Sequence, residues 1–115
     1  MATAAEIRDR AASDLGMLMI GQSLQAQDAT RITSGYTEVY AALKKEGLAT
    51  WASTAAVPDE LVPYVVALVA DNCLNTYGVS TERYNRIKLI VASALREIRK
   101  LVAPDYASSD DAVDY

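Results

Sequence analysis

The side chains that could do chemistry are few, and they do not form a recognisable catalytic pattern. The chain has no histidine, so a general base would have to be a carboxylate or a lysine. Serine–histidine and cysteine–histidine nucleophiles are excluded for the same reason. A carboxylate hydrolase would depend on Glu38, Glu60 or Asp71, yet no acidic pair stands out on a shared face. We therefore do not expect an enzyme.

Metal and cofactor sites have no better support in the sequence. A single cysteine, Cys73, excludes an internal disulfide and a cysteine zinc site. There is no cluster of metal ligands and no glycine-rich phosphate loop, so neither a metal nor a cofactor is expected. Cys73 falls on an apolar face and is interpreted as a small buried hydrophobe.

Length and composition predict one folded domain. The 115 residues are 51% hydrophobic, enough for a single core. The longest apolar runs are too short to span a bilayer, and the N-terminus lacks a basic segment followed by an apolar one. We expect synthesis in a reducing cytoplasm and no membrane contact. The sequence pI of about 4.7 argues against a dedicated DNA-binding protein.

Charge is distributed unevenly along the chain. Residues 80–103 carry six basic and two acidic side chains, a net charge of +4, whereas residues 104–115 carry four carboxylates and no cation. This asymmetry says more than the overall charge of −4.

The most apolar segment, residues 58–78, predicts a central helix that neighbours cover on several sides. Pro58 and Pro63 suit early helical positions, and Gly78 is expected to end the helix in the left-handed conformation. Asn72 falls within the apolar face. It is either a buried amide bonded to a neighbouring backbone group or a polar residue that fixes a subunit contact.

Three further helices are expected to cover the central one. They are predicted over residues 3–18, 26–46 and 81–102. Thr3 and Glu6 have the spacing of a capping box, and Gly47 follows two lysines where the second of these helices should end. Gly35, inside that helix, is interpreted as a place for close helix packing. The predicted fold class is all-α, a compact bundle of about four helices over residues 1–103.

Two places are candidates for subunit contact. Trp51 lies in a loop of small residues and is either a lid over the core or an exposed anchor for another subunit. On the last helix, Arg86, Leu89, Arg96 and Lys100 follow one another at helical spacing. The cations are interpreted as a solvated face or a nucleic-acid contact, and Leu89 among them indicates a subunit contact.

The last residues predict a flexible acidic arm over 104–115. Pro104 should end the last helix, and the segment after it has few apolar residues. It is interpreted either as a solubilising tail or as a docking arm that orders on binding. The residues available for docking are Asp105, Tyr106, Asp110, Asp111, Val113 and Tyr115.

Several stretches, in this order, resemble the head–tail adaptor proteins of tailed phages, and most of all the tail accessory (head-completion) factors of short-tailed phages. The stretches are ATAAEIRDRAASDLGML, GQSLQAQDA, EVYAALKKEGLATW and VPDELVPYVVALVADNCLNTYGV. The family's short motifs are matched by Leu15-Gly16, by Gly47 with Trp51, and by Tyr77-Gly78. The likeness covers about residues 2–100, with Ser13 and Asp14 more polar than the family pattern.

The resemblance implies a structural virion protein at the head–tail junction, the virion neck. Such adaptors are all-α and assemble as a ring, typically of twelve subunits, beneath the portal protein. The ring extends the DNA channel, helps to retain the packaged genome, passes double-stranded DNA without reading its sequence, and offers a platform to a tail or nozzle protein. The C-terminal arm commonly reaches the portal, which would make residues 104–115 the portal-docking segment. The alternative is a small helical nucleic-acid-binding factor, for packaging or regulation, that uses Arg86, Arg96 and Lys100.

Overall fold

Four α-helices make up most of the chain in the computed structural model, which describes residues 2–17, 24–74 and 76–102. They are α1 (Ala4–Asp14), α2 (Ala26–Lys45), α3 (Val62–Cys73) and α4 (Thr81–Val102), with one turn of 3-10 helix, Asp59–Leu61, leading into α3. The described residues contain no strand, only an isolated antiparallel bridge between Ala2 and Val57. The predicted all-α fold class is confirmed. The predicted arm, residues 104–115, lies outside the described residues.

The central helix of the bundle is α3, which contacts α1, α2 and α4. More than half of its residues are buried, and they cover somewhat more than half of its circumference. They are Val62, Val65, Val66, Ala67, Val69, Ala70 and Cys73. Since each fully buried valine contributes about 1.5–3 kcal/mol, the packing of α3 carries much of the stability of the fold.

At its C-terminus α3 is shorter than the sequence predicted, because an arginine from α2 donates a hydrogen bond to a carbonyl of the last turn. Arg31 donates from Nη2 to the carbonyl of Asn72 (3.0 Å) and from Nη1 to its Oδ1 (3.2 Å). The amide of Thr76 bonds to the Cys73 carbonyl instead, which tightens the last turn. The helix ends at Cys73, and Gly78, against expectation, has no positive φ.

The same contact corrects one of the two interpretations of Asn72. Its side-chain oxygen accepts a hydrogen bond from a guanidinium group and not from a backbone group, and the residue is half-buried. The other interpretation, a polar residue that fixes a subunit contact, stays a prediction. Arg31 also donates from Nε to the Thr76 hydroxyl at 3.1 Å. One of its three hydrogen bonds reaches a carbonyl of the last helical turn, and together they hold α2 to the end of α3.

The first helix ends earlier than predicted, at Asp14, because Gly16 takes the left-handed conformation (φ +82°). Here too an arginine from another helix serves the free carbonyls. Arg83 Nη1 lies 3.1 Å from the Ser13 carbonyl oxygen and 3.4 Å from that of Asp14. The polar residues 13 and 14 are exposed, so their departure from an apolar pattern does not disturb the packing of α1. Leu18, predicted at the end of this helix, lies outside the described residues.

Three further signals for helix ends are confirmed, whereas Pro58 lies before the 3-10 turn with ψ 140°, and α3 begins only at Val62; Pro104 lies outside the described residues. Thr3 and Glu6 form the predicted capping box, and Ser80 accepts a hydrogen bond from the Arg83 amide at the start of α4. Gly47 follows the end of α2 in the left-handed conformation (φ +77°).

Gly35 marks the place where α2 and α3 approach most closely. A Cβ atom there would lie 3.0 Å from Asn72 Oδ1 and 3.2 Å from Cys73 Sγ. Neither neighbour can easily move, since Arg31 holds Asn72 and Cys73 is fully buried. The interpretation of Gly35 as a close-packing position is therefore confirmed.

Replacing Gly35 with valine should force the two helices apart. We expect Gly35→Val to lower the free energy of unfolding by about 1–3 kcal/mol, the usual cost of overpacking, as measured by urea denaturation. Ser34→Val is the matched control, because Ser34 is exposed on the same helix; helix propensity hardly changes there and slightly favours valine at position 35, so it does not account for a loss of stability. Equal stabilities of the two variants would contradict the close approach described here.

Candidate interaction surface

Trp51 is buried within its own chain and forms the centre of a small aromatic cluster. Its Nε1 donates to the Tyr36 hydroxyl at 3.0 Å, and its carbonyl accepts from the Tyr40 hydroxyl at 2.7 Å. The rings of Tyr40 and Trp51 meet edge to face with centroids 5.9 Å apart, a favourable aromatic geometry. The indole thus fastens the loop after α2 onto α2 itself.

This burial decides between the two interpretations of Trp51. Only 7% of the residue is exposed, so the lid over the core is the correct one, and the exposed anchor for another subunit is wrong for this conformation. The sequence signal for the lid was the pair of tyrosines on α2, at positions 36 and 40. The helical periodicity of α2 alone did not show that these two tyrosines contact the loop after the helix.

The most exposed large apolar side chain in the described part of the chain is Leu89, on the face of α4 directed away from α3. It is 75% exposed, and no other element covers it. The cations predicted beside it are exposed as well: Arg86 is on the surface, and the side chains of Arg96 and Lys100 are 70% and 65% exposed. We call these four residues, Arg86, Leu89, Arg96 and Lys100, the outer face of α4.

The charges of the outer face are only partly compensated. Glu97 Oε1 lies 3.9 Å from Arg96 Nε and 3.5 Å from Lys100 Nζ, whereas Arg86 makes no ion pair with a described residue. Exposed pairs of this kind contribute little to stability. The outer face therefore carries three cations around an exposed leucine, with Glu82 and Glu97 on the same side of the helix and Asp14 of α1 near Arg86.

The opposite, core-facing side of α4 differs from expectation at its first turn. Ile87, Ala94 and Ile98 are buried as predicted, but Tyr84 is 44% exposed. Its ring lies 5.7 Å from Lys88 Nζ, close enough for a cation–π contact. The apolar stripe of α4 is thus continuous with the core only after its first turn.

A groove of about 250 Å³ opens between α2, α3 and α4, and we call it the α2–α4 groove. Its floor is apolar, and its edge carries three carboxylates. The floor consists of Val39, Ala42, Leu43, Leu68 and Leu95, the carboxylates are Glu38, Glu46 and Asp71, and the amide residue Asn72 completes the lining. The sequence did not predict this groove, because it depends on how three helices converge and not on the pattern of any one of them.

Two of the three carboxylates pair with cations of α4. Lys88 Nζ lies 2.7 Å from Asp71 Oδ1, and Arg99 Nη2 lies 2.8 Å from Glu46 Oε1. The close contact with Asp71, through a hydrogen bond and through opposite charge, raises the pKa of Lys88. Glu38 is exposed and makes no ion pair with any described residue.

The groove also bears on the hypothesis of a carboxylate hydrolase. Folding brings Glu38 and Asp71 to one concavity, while Glu60 lies in the 3-10 turn before α3. Asp71 is held by Lys88. The arrangement offers a charged edge around an apolar floor, which suits binding of an apolar side chain with cations around it.

The thiol of Cys73 faces the contact between α2 and α3. It is fully buried, and burial raises the pKa of the Cys73 thiol, so the reactive thiolate is disfavoured. The interpretation of Cys73 as a buried hydrophobe is confirmed.

Other classes of site find no candidate in the parts of the chain that the structure describes. Within residues 2–17, 24–74 and 76–102, no three side chains of metal-binding type come together. None of the described helices has the length and apolar character needed to cross a bilayer. The predicted docking residues, from Asp105 to Tyr115, lie outside the described residues.

Comparison of the chain with models of protein families, with curated proteins and with solved structures finds no match.

The burial of Trp51 can be measured directly, because it is the only tryptophan of the chain. We expect its fluorescence to be quenched only weakly by acrylamide in the native protein and strongly in urea, since the indole lies beneath the loop. The native signal should stay the same when the protein is concentrated or assembled. Strong quenching of the native protein, or protection that appears only on assembly, would restore Trp51 as a subunit anchor.

Proposed function

We propose that this chain is a structural virion protein, a head–tail adaptor that forms a ring below the portal. The ring, with about twelve copies by the resemblance, would extend the DNA channel, retain the packaged genome and offer a platform for the tail. The partners are further copies of the chain, the portal protein, and a tail or nozzle protein. Double-stranded DNA passes through the channel without sequence-specific contact.

The observation that carries this proposal is the exposure of Leu89 on the outer face of α4. Covering a leucine that is 75% exposed removes apolar surface from water, which is favourable. The position is therefore well suited to a protein contact. The helices also follow the order that the resemblance implies, and Gly47 and Trp51 occupy a helix end and the loop after it. Both features suit a module that works by assembling.

Charge supports the same role. The chain carries a net charge of −4, and a ring of acidic subunits would not hold phosphates tightly, so DNA could leave the head freely. The acidic residues 104–115, with Tyr106, Val113 and Tyr115 among them, would then supply the segment that docks on the portal.

Removal of residues 105–115 tests the docking role. All described residues precede this segment, so we expect the shortened chain to fold with unchanged helicity and unfolding midpoint. It should no longer join portal-bearing heads in a sedimentation assay, because the docking segment is gone.

A matched variant separates charge from apolar contact in the same segment. Replacing Tyr106, Val113 and Tyr115 with serine keeps all four carboxylates and should still abolish attachment if the portal buries these side chains. Normal attachment of the shortened chain would show that the docking assignment is wrong.

The exposed cations of α4 also favour a second candidate, a nucleic-acid-binding factor for packaging or regulation. Arg86, Arg96 and Lys100 lie on one exposed face, as phosphate contacts require. Glu97 lies near two of them, and Leu89 interrupts the row, so this face suits a protein partner better than a phosphate backbone.

A salt titration discriminates between the two functions. For the adaptor we expect weak binding to duplex DNA in a gel-shift assay, with little change in affinity when Arg86, Arg96 and Lys100 are replaced together by glutamine. A phosphate-binding face would show a log–log salt slope of about −0.9 for each phosphate contacted. A steep slope that these three substitutions flatten would favour the nucleic-acid factor.

A further inference from the structure

Leu89 and the α2–α4 groove are complementary features of the same chain, and both are accessible from outside. Leu89 projects from the outer face of α4 and is covered by no described residue. The groove has a floor of Val39, Ala42, Leu68 and Leu95, with Leu43 beneath. Its volume of about 250 Å³ is ample for one leucine side chain.

The charges around the two features are opposite in sign. Around Leu89, three cations stand against two carboxylates: Arg86, Arg96 and Lys100 against Glu82 and Glu97. At the groove, three carboxylates stand against two cations, because Lys88 and Arg99 pair with Asp71 and Glu46 while Glu38 makes no ion pair with a described residue. Complementary charge of this kind orients a contact and speeds its formation.

We propose that Leu89 of one copy of this chain inserts into the α2–α4 groove of a second copy, with the cations of the outer face meeting Glu38 at the groove edge. The inference rests on the proposed function in so far as that function requires a second copy of the chain. Beyond that function, the contact is formed by two specified surfaces, the outer face of α4 and the α2–α4 groove, with Leu89 at its centre.

The placement of the two surfaces determines the kind of assembly. At about 100° per residue, Leu89 points about 120° away from Leu95, the α4 residue that lines the groove. The two surfaces therefore lie on different sides of the molecule. A copy that inserts its leucine into a neighbour still has its own groove open, so the contact is head-to-tail and can continue from copy to copy, into a ring where the rotation between copies closes and into a filament where it does not.

The chain's own acidic end fits the groove less well. Residues 104–115 carry four carboxylates and no cation, so they would meet Glu38 with charge of the same sign. The cationic outer face of a second copy has the opposite charge and also presents an apolar residue at its centre.

The test uses one variant for each surface of the full-length chain. Leu89→Ser removes the inserted side chain, and Ala42→Gln fills the groove from an exposed position on α2. Leu101→Ser and Ala41→Gln are matched controls, because both residues are exposed on the same helices and neither lines the groove. Far-UV circular dichroism and urea midpoints establish that each variant is folded.

Sedimentation equilibrium then reports the association. We expect the wild-type chain and both controls to associate, and Leu89→Ser and Ala42→Gln each to raise the dissociation constant about tenfold or more, as at the centre of an interface. Glu38→Lys should weaken association as well, whereas Glu60→Lys, a change on the 3-10 turn, should not.

Mixing the two variants gives the most specific readout. The Leu89→Ser chain keeps an intact groove and the Ala42→Gln chain keeps an intact Leu89, so an equimolar mixture should form a one-to-one dimer and nothing larger. A wild-type chain that stays monomeric at millimolar concentration would overturn the proposal. So would a mixture that fails to pair, or a groove that instead binds a synthetic peptide of residues 104–115.

These outcomes are independent of portal attachment. A monomeric wild-type chain that still joins portal-bearing heads would overturn this contact and leave the adaptor function standing. A chain that associates through Leu89 and the groove but does not join portal-bearing heads would support this contact and contradict the adaptor function.

Discussion

The structure depends on one constraint, that apolar residues cover more than half of the circumference of α3. A helix of 12 residues with so wide an apolar face cannot lie on a surface, so other helices must cover it. The helices α1, α2 and α4 do so, and the last turn of α3, at Asp71 and Asn72, is left half-buried among them. A carbonyl in such a place needs a donor, and Arg31 of α2 supplies it to the carbonyl of Asn72.

Arginines that serve the end of a neighbouring helix are a repeated device in this fold. Arg31 joins α2 to the end of α3, and Arg83 joins α4 to the end of α1, over sequence separations of 41 and 70 residues. Each guanidinium replaces hydrogen bonds that the helix end lacks and also fixes the position of one helix against another. Because these contacts and the apolar stripe hold α4 from one side only, no described residue covers its outer face.

The sequence predicted what depends on local chemistry and missed what depends on three-dimensional convergence. Capping residues and glycines located most helix ends, and Gly35 correctly indicated a close helix contact. The end of α3 was misplaced because its cause, Arg31, lies 41 residues away in the chain. Leu89 and its cations were found by helical spacing, but the α2–α4 groove needed the relative placement of three helices, which no pattern within one helix contains.

The acceptors that Arg31 and Arg83 use have a consequence for behaviour in acid. They are main-chain carbonyls, an amide and a hydroxyl, none of which takes up a proton under mild acid conditions, and guanidinium groups stay charged throughout. Neither cross-helix contact therefore depends on a carboxylate partner, so acid should leave the ends of α1 and α3 tied to their neighbouring helices and the helical frame in place.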